Sequence, residues 1–205
     1  MDFKKDNKDL YQPKTTPSII DVPEMTFIAI DGVGDPNTSG DYAAAIESLY
    51  GLSWTIKMSN RSTLEYVVAP LEGFWKNSGA FKSGGAAIMD KSKFEWTMLI
   101  RQPDFVTPDV FEAAKAAVLM KKPNLDTSKA RLIKLTEGLS VQVMHIGPYD
   151  DEPATIAGME RYAAENGYAI DINDERRHHE IYLSDPRKVA PERMKTVIRY
   201  PVRKE

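Results

Sequence analysis

The chain has no cysteine and only three histidines among 205 residues, and no apolar run long enough to span a bilayer. The missing cysteines exclude disulfides and thiol catalysis. His178 and His179 are neighbours, so on a strand they point to opposite faces. Only His145 remains, and no metal site of histidines is expected. There is no Walker A loop, and no Gly-x-Ser-x-Gly of a nucleophile elbow. Gly32 to Gly34 is too short for a dinucleotide fingerprint, and Gly84-Gly85 reads as a flexible turn. No cofactor is therefore expected. A formal net charge of −3 gives no electrostatic footprint for nucleic acid. The first residues, Met1 to Asp6, are charged and lack the apolar core of a signal peptide, so a cytoplasmic location is the default expectation.

What the chain does have is an internal duplication. Phe27 to Gly32 reads as a strand that leads through Gly34-Asp35-Pro36 into a helical run, Tyr42 to Tyr50. Val141 to Gly147 leads in the same way through Pro148-Tyr149-Asp150 into Ile156 to Ala164. Each copy then offers a glutamate-led strand running into proline, Glu65 to Pro70 and Glu180 to Pro186. Each closes on a similar strand, Thr97 to Pro103 and Thr196 to Pro201. The expected fold is α+β: two pseudo-twofold βαββ-type repeats with antiparallel sheets around a central ligand cleft. The expected layout is one domain, with an N-terminal arm over 1–23, a first repeat with an extra helix over 24–125 and a second repeat over 126–205.

Local signals fill in the elements. Leu10 and Tyr11 can pin the arm, which has a helical start near Lys4 to Tyr11. Ser39-Gly40-Asp41 offers a cap for the first helix. Trp54, Ile56 and Met58 alternate, and either start a strand or extend that helix. Lys76 to Ser92 is a mobile loop or a hairpin with Ala86 to Met89 in its return arm. Thr107-Pro108-Asp109 starts the extra helix. Arg131 to Thr136 and Ser140 to Ile146 flank Glu137-Gly138 as a hairpin. Asp150 caps the last helix, and Asn166-Gly167 closes it.

Glu180 is the leading candidate for chemistry. On a strand it shares a face with Tyr182, while His179 and Ile181 share the other. If Ile181 faces the helices, Glu180 and Tyr182 face the cleft, where burial raises a carboxyl pKa. The alternative is a solvated glutamate on an exposed sheet face. Glu65 is its counterpart by the repeat. Pro70-Leu71-Glu72-Gly73-Phe74-Trp75 places a carboxylate and two aromatic rings just past a strand end. Glu72, Phe74 and Trp75, with Trp54, Tyr66, Trp96, Tyr149 and Tyr182, could wall a cleft for flat or cationic ligands. The alternative for the rings is core packing. Tyr149 could supply a hydroxyl as proton donor, or simply pack over its turn.

These motifs resemble a known family. His145-Ile146-Gly147-Pro148-Tyr149, Asn166-Gly167-Tyr168 and Glu180-Ile181-Tyr182-Leu183-Ser184-Asp185-Pro186 are similar to the GyrI-like small-molecule-binding domain. Asp31 to Asn37 and Pro70 to Trp75 resemble its stand-alone subgroup. The resemblance implies a ligand cleft between two halves, with Glu180 among aromatics meeting cationic lipophilic ligands. The repeats use nearly all of the length, so a helix-turn-helix regulator is not expected. Some stand-alone members are cyclopropanoid cyclopropyl hydrolases, which open the strained ring of DNA-alkylating compounds in an aromatic cage. The expectation is such a hydrolase, with Glu180 acting on water and Tyr149 on the carbonyl oxygen. The alternatives are a multidrug-sequestering protein, a topoisomerase-inhibitor-like partner, or a protein–protein module with a filled cleft. Membrane partners are not expected, and oligomeric state is open.

Overall fold

A computed structural model describes residues 1–76 and 91–205; Gly84-Gly85 and Ala86 to Met89 lie outside the described residues. The described residues form seven strands: β1 (Ser18–Val33), β2 (Leu71–Lys76), β3 (Glu95–Gln102), β4 (Arg131–Ile146), β5 (Tyr168–Ile170), β6 (His178–Tyr182) and β7 (Lys195–Lys204). Among the described residues five α-helices accompany them: α1 (Phe3–Asp6), α2 (Lys8–Tyr11), α3 (Gly40–Ser59), α4 (Pro108–Lys121) and α5 (Glu152–Glu165). The sheet order is β4-β1-β3-β2-β6-β7-β5, and β4 also pairs with β7. Six antiparallel strands thus close into a barrel, which removes free sheet edges.

The duplication is written into that ring. One half runs β1, α3, β2, β3 and the other β4, α5, β6, β7. Around the barrel the order β1-β3-β2 meets β6-β7-β4, so the two halves join through β2 with β6 and through β1 with β4. Helix α4 is the extra element of the first half.

Strand parity separates an inner from an outer face. Gln102, on the outer parity of β3, donates to Ser53 Oγ of α3 at 3.0 Å. Ile156, Met159 and Ala163 of α5 pack on Val141, Val143, Ile198 and Tyr200 of β4 and β7. Helices of this length cannot fit inside six strands, so α3 and α5 define the outside. Ser39 caps α3 by accepting from Tyr42 N, and Ala45, Leu49, Leu52 and Ile56 bury its stripe. Each fully buried side chain of Leu or Ile size contributes about 1.5–3 kcal/mol. The alternating Trp54, Ile56 and Met58 extend this helix; they do not begin a strand. Among the described residues no helix is long and apolar enough to cross a membrane.

Four expectations are corrected. The residues 131–146 form one strand rather than a hairpin, pairing with β1 from Arg131 to Gln142. Glu137-Gly138 resembles a turn signal, but Gly138 takes φ +66° inside the strand, a bend that glycine accepts without strain. Residues 64–70 are not a strand, so the topological counterpart of β6 is β2. Leu10 and Tyr11 pin the arm and are buried with Phe3, but β1 begins at Ser18, inside the stretch 1–23 expected as arm. Asp150 sits in a short 3-10 turn, Tyr149–Asp151, and Asp151 stands at the N-cap of α5.

The barrel interior is charged. Arg199 Nη1 donates to Glu137 Oε1 at 2.6 Å. His179 bridges Glu137 Oε2 and Glu72 Oε2, 3.0 Å from each. Tyr11 from the arm donates to Glu72 Oε1 at 3.0 Å. Burial opposes charge on His179, but Glu137 and Glu72 overcome it and lift its pKa to about 9. Burial likewise opposes charge on Glu137, yet Arg199 and His179 hold it down at about 2. His179 and Glu137 therefore stay ionised at neutral pH, inside a connected chain that runs Tyr11–Glu72–His179–Glu137–Arg199.

Candidate functional site

The outward parity of β6 presents His178, Glu180 and Tyr182 between α3 and α5. Glu180 is 7% exposed. Its Oε2 accepts from Tyr182 Oη at 2.6 Å, and its Oε1 lies 2.8 Å from His178 Nε2. Trp75, on the adjacent β2, donates from Nε1 to Tyr182 Oη at 2.9 Å. Opposite Glu180 in register is Gly73, so no side chain of β2 shields the carboxylate at that position. Ile181 points into the barrel, not at the helices, and this turns Glu180 and Tyr182 toward the cleft.

Rings from both halves surround this carboxylate. Tyr42 of α3 stacks on Trp75 with centroids 6.3 Å apart and meets Trp96 edge-on at 5.2 Å. Phe94 meets Trp75 edge-on at 6.0 Å. Tyr149 meets Tyr182 edge-on at 5.9 Å, and at 39% exposure it forms the lip. The turn that places Tyr149 is held by His145, whose ring nitrogens reach Thr155 Oγ1 at 2.8 Å and the Pro148 carbonyl at 3.1 Å. Burial, then Glu180, Glu152 and Asp185, push the Tyr149 phenol up to about 12. Burial and Glu180 raise Tyr182 as well. Both are hydrogen-bond donors at neutral pH.

Glu152, in the first turn of α5, completes the cluster. It is buried, and its Oε1 has no hydrogen-bond partner among the described residues. Burial, then the charge and hydrogen bond of Glu180, push its pKa well above the ordinary carboxylate range. Two carboxyls so placed share one proton, because burying two like charges together is costly. The arrangement can hold a cation, or can take a proton at one oxygen and release it at another.

The structure brings together Glu180, Tyr182, Trp75, Trp96 and Tyr149 from the expected set. It removes the others. Phe74 and Glu72 have the inner parity of β2; Phe74 stacks on His179 at 4.2 Å and Glu72 belongs to the ion chain. Glu65 is at the surface, ion-paired with Arg61 at 3.0 Å. Trp54 is 49% exposed on α3, with the Lys57 ammonium 5.2 Å from its ring. Tyr66 packs edge-on against Phe105 at 6.1 Å, away from the cleft. Sequence reasoning missed Tyr42, Phe94, Glu152 and His178. Only His178 carried a usable signal, since it lies two residues before Glu180 and so shares its face.

Two cavities lined by described residues sit elsewhere, one at each mouth of the barrel. Among the described residues no cluster of three or more acidic or histidine side chains could hold a metal ion.

A closed α+β barrel bearing an acidic, ring-lined cleft between two outer helices defines a small-molecule-binding protein. The family model of the GyrI-like small molecule binding domain matches residues 15–203, and the chain belongs to that family. An uncharacterized conserved protein from Listeria innocua is 45% identical, with 99% of this chain and 100% of that chain covered and a TM-score of 0.92. A hydrolase from Listeria innocua is 44% identical over 99% and 100% of the two chains, with a TM-score of 0.90. The C-terminal domain of EcmrR shares the fold at 13% identity and a TM-score of 0.54, over 93% and 98% of the two chains. No curated protein matches.

Proposed function

We propose that the cleft hydrolyses flat, aromatic, ring-strained electrophiles of the cyclopropanoid type, and so detoxifies DNA-alkylating compounds in the cytoplasm. The observation that carries the reading is Glu180, a carboxylate 7% exposed among rings and beside a second carboxyl that keeps a proton. The similar Listeria protein described as a hydrolase supports it. The substrate lies against Trp75 and Tyr42. Glu180, oriented by His178 and Tyr182, takes a proton from a water molecule whose oxygen attacks the cyclopropane carbon. The strained C–C bond breaks, and its electron pair moves into the conjugated ring system, onto the carbonyl oxygen. Tyr149 donates a hydrogen bond there, and Glu152 provides a proton to the product oxygen. The proton taken from water then restores the shared pair. General acid–base assistance of this kind is typically worth about 10²–10⁴-fold.

The test is turnover. A trace of protein is incubated with excess cyclopropanoid, and ring-opened product is followed beyond one equivalent. Glu180→Gln should lower kcat by about 10²–10⁴-fold. An unchanged kcat removes Glu180 from the mechanism, and protection limited to one equivalent defeats the enzyme reading. The same carboxylate among rings also supports a second reading, a sink for cationic lipophilic molecules. In that case Glu180→Gln weakens a cationic dye far more than its neutral analogue, with no product formed.

A further inference from the structure

We infer that the barrel mouth beside the N-terminal arm is a second binding site, for small amphipathic organic anions. It encloses about 810 Å³, within the range of small-molecule pockets. Its floor is apolar: Tyr11, Met144, Ile146 and Leu183 point to the inner parity of the barrel or close its end. Ile146 is 48% exposed there, an uncovered aliphatic side chain in a concave place. Its rim carries Lys4, Lys5, Lys14 and Lys195 against a single carboxylate, Asp2. Lys5 reaches Asp2 at 3.8 Å, while Lys4, Lys14 and Lys195 have no carboxylate partner among the described residues.

That concentration of positive charge stands out in a chain of formal net charge −3. The opposite mouth, about 440 Å³, is different. There Asp31, Glu95, Asp174 and Glu175 accompany Arg131 and Arg177, and Arg131 already pairs with Asp31 at 2.6 Å. An apolar floor under unpaired ammonium groups matches a carboxylate, sulfonate or phosphate attached to a hydrophobic body. Thr15 and Thr16 add hydroxyl donors at the edge. The lysines are fixed by backbone contacts: Met144 N donates to the Lys14 carbonyl at 2.9 Å and Leu183 N to the Lys195 carbonyl at 3.0 Å. The ligand charge is opposite to the one that Glu180 favours, so this site is independent of the function proposed above. A concave cavity, not a flat face, selects a free small molecule over a membrane surface.

The probe is 8-anilinonaphthalene-1-sulfonate, titrated by fluorescence and calorimetry at low salt, with uncharged N-phenyl-1-naphthylamine as control. The double variant Lys14→Glu/Lys195→Glu should bind the sulfonate at least about tenfold more weakly, a loss of about 1.4 kcal/mol. Its thermal midpoint should match the parent, because both side chains are exposed. Glu180→Gln should leave the sulfonate affinity intact, and added salt should weaken it. Sulfonate affinity that survives the charge reversal overturns the proposal, as does loss of binding in Glu180→Gln or no binding at all. Co-sedimentation of the protein with phosphatidylglycerol vesicles, abolished by the double variant, would reassign the lysines to a lipid surface and overturn it too.

Discussion

Arg199→Met cuts the ion chain inside the barrel at its most connected member. Arg199 is 1% exposed. Its Nη1 donates to Glu137 Oε1 at 2.6 Å, and its Nε and Nη2 donate to Gln142 Oε1 at 3.3 and 3.1 Å. Nη2 also donates to the Leu10 carbonyl at 3.0 Å, tying the arm to β7. Methionine fills much of the space and donates nothing. Glu137 is left with His179 alone, and a carbonyl and an amide oxygen lose their donors. Removing one partner of a buried pair costs about 3–5 kcal/mol. For a domain of this size each kcal/mol moves the midpoint by about 2–4 °C, so a fall of roughly 6–20 °C is expected. Thermal unfolding followed by circular dichroism at pH 6 reads it. The double variant Glu137→Gln/Arg199→Met removes the stranded carboxylate and should recover part of the loss. A single variant within about 2 °C of the parent, less than the effect of 1 kcal/mol, refutes the reasoning. So does a double variant less stable than the single one.

Three further outcomes follow from the same geometry. His179 has its pKa raised from 6.5 to about 9, so its stabilising contribution is complete below 6.5 and is lost as pH rises through 9. The thermal midpoint should fall across that window in the parent and less in His179→Gln; parallel falls would show that the ring is not responsible. At Gly32 an added Cβ would lie 2.1 Å from the Trp96 ring, so Gly32→Ala must displace the indole. Overpacking of this kind costs about 1–3 kcal/mol, and tryptophan emission should shift with it; an unchanged spectrum and midpoint would contradict the contact. Glu152 has its pKa raised on folding, so the native state binds more protons than the unfolded chain once pH exceeds about 4.5, and stability declines with rising pH. Glu152→Gln should flatten that decline, and a Gln variant with the parent's pH profile between 5 and 8 would place the proton elsewhere.

The site was legible in the sequence wherever strand parity could be read. Glu180 and Tyr182 sit in a short apolar strand, and alternation alone puts them on one face. Parity failed in the first half because the start of its strand was misplaced. With a strand beginning at Glu65, Glu65 becomes the partner of Glu180; with β2 beginning at Leu71, Gly73 stands there instead. The same parity sends Glu72 and Phe74 inward and Trp75 outward, a division that the composition of Glu72 to Trp75 does not reveal. Glu152 was illegible for another reason. An acid in the first turn of a helix is an ordinary complement to the helix dipole, and only the approach of β6 makes it half of a proton-sharing pair. The hairpin expected at Glu137-Gly138 failed because glycine permits a bend within a strand as readily as a turn between two.

The five residues of β6 are all engaged, three outward in the acidic cleft and two inward in the barrel. A change of side chain on this strand therefore disturbs recognition, stability or both. Helices α3 and α5 carry Tyr42 and Glu152 to the cleft on surfaces fixed largely by apolar packing, which tolerates substitution more readily. Divergence in what relatives accept should accumulate on those two flanking walls, while the strand beneath them stays unaltered.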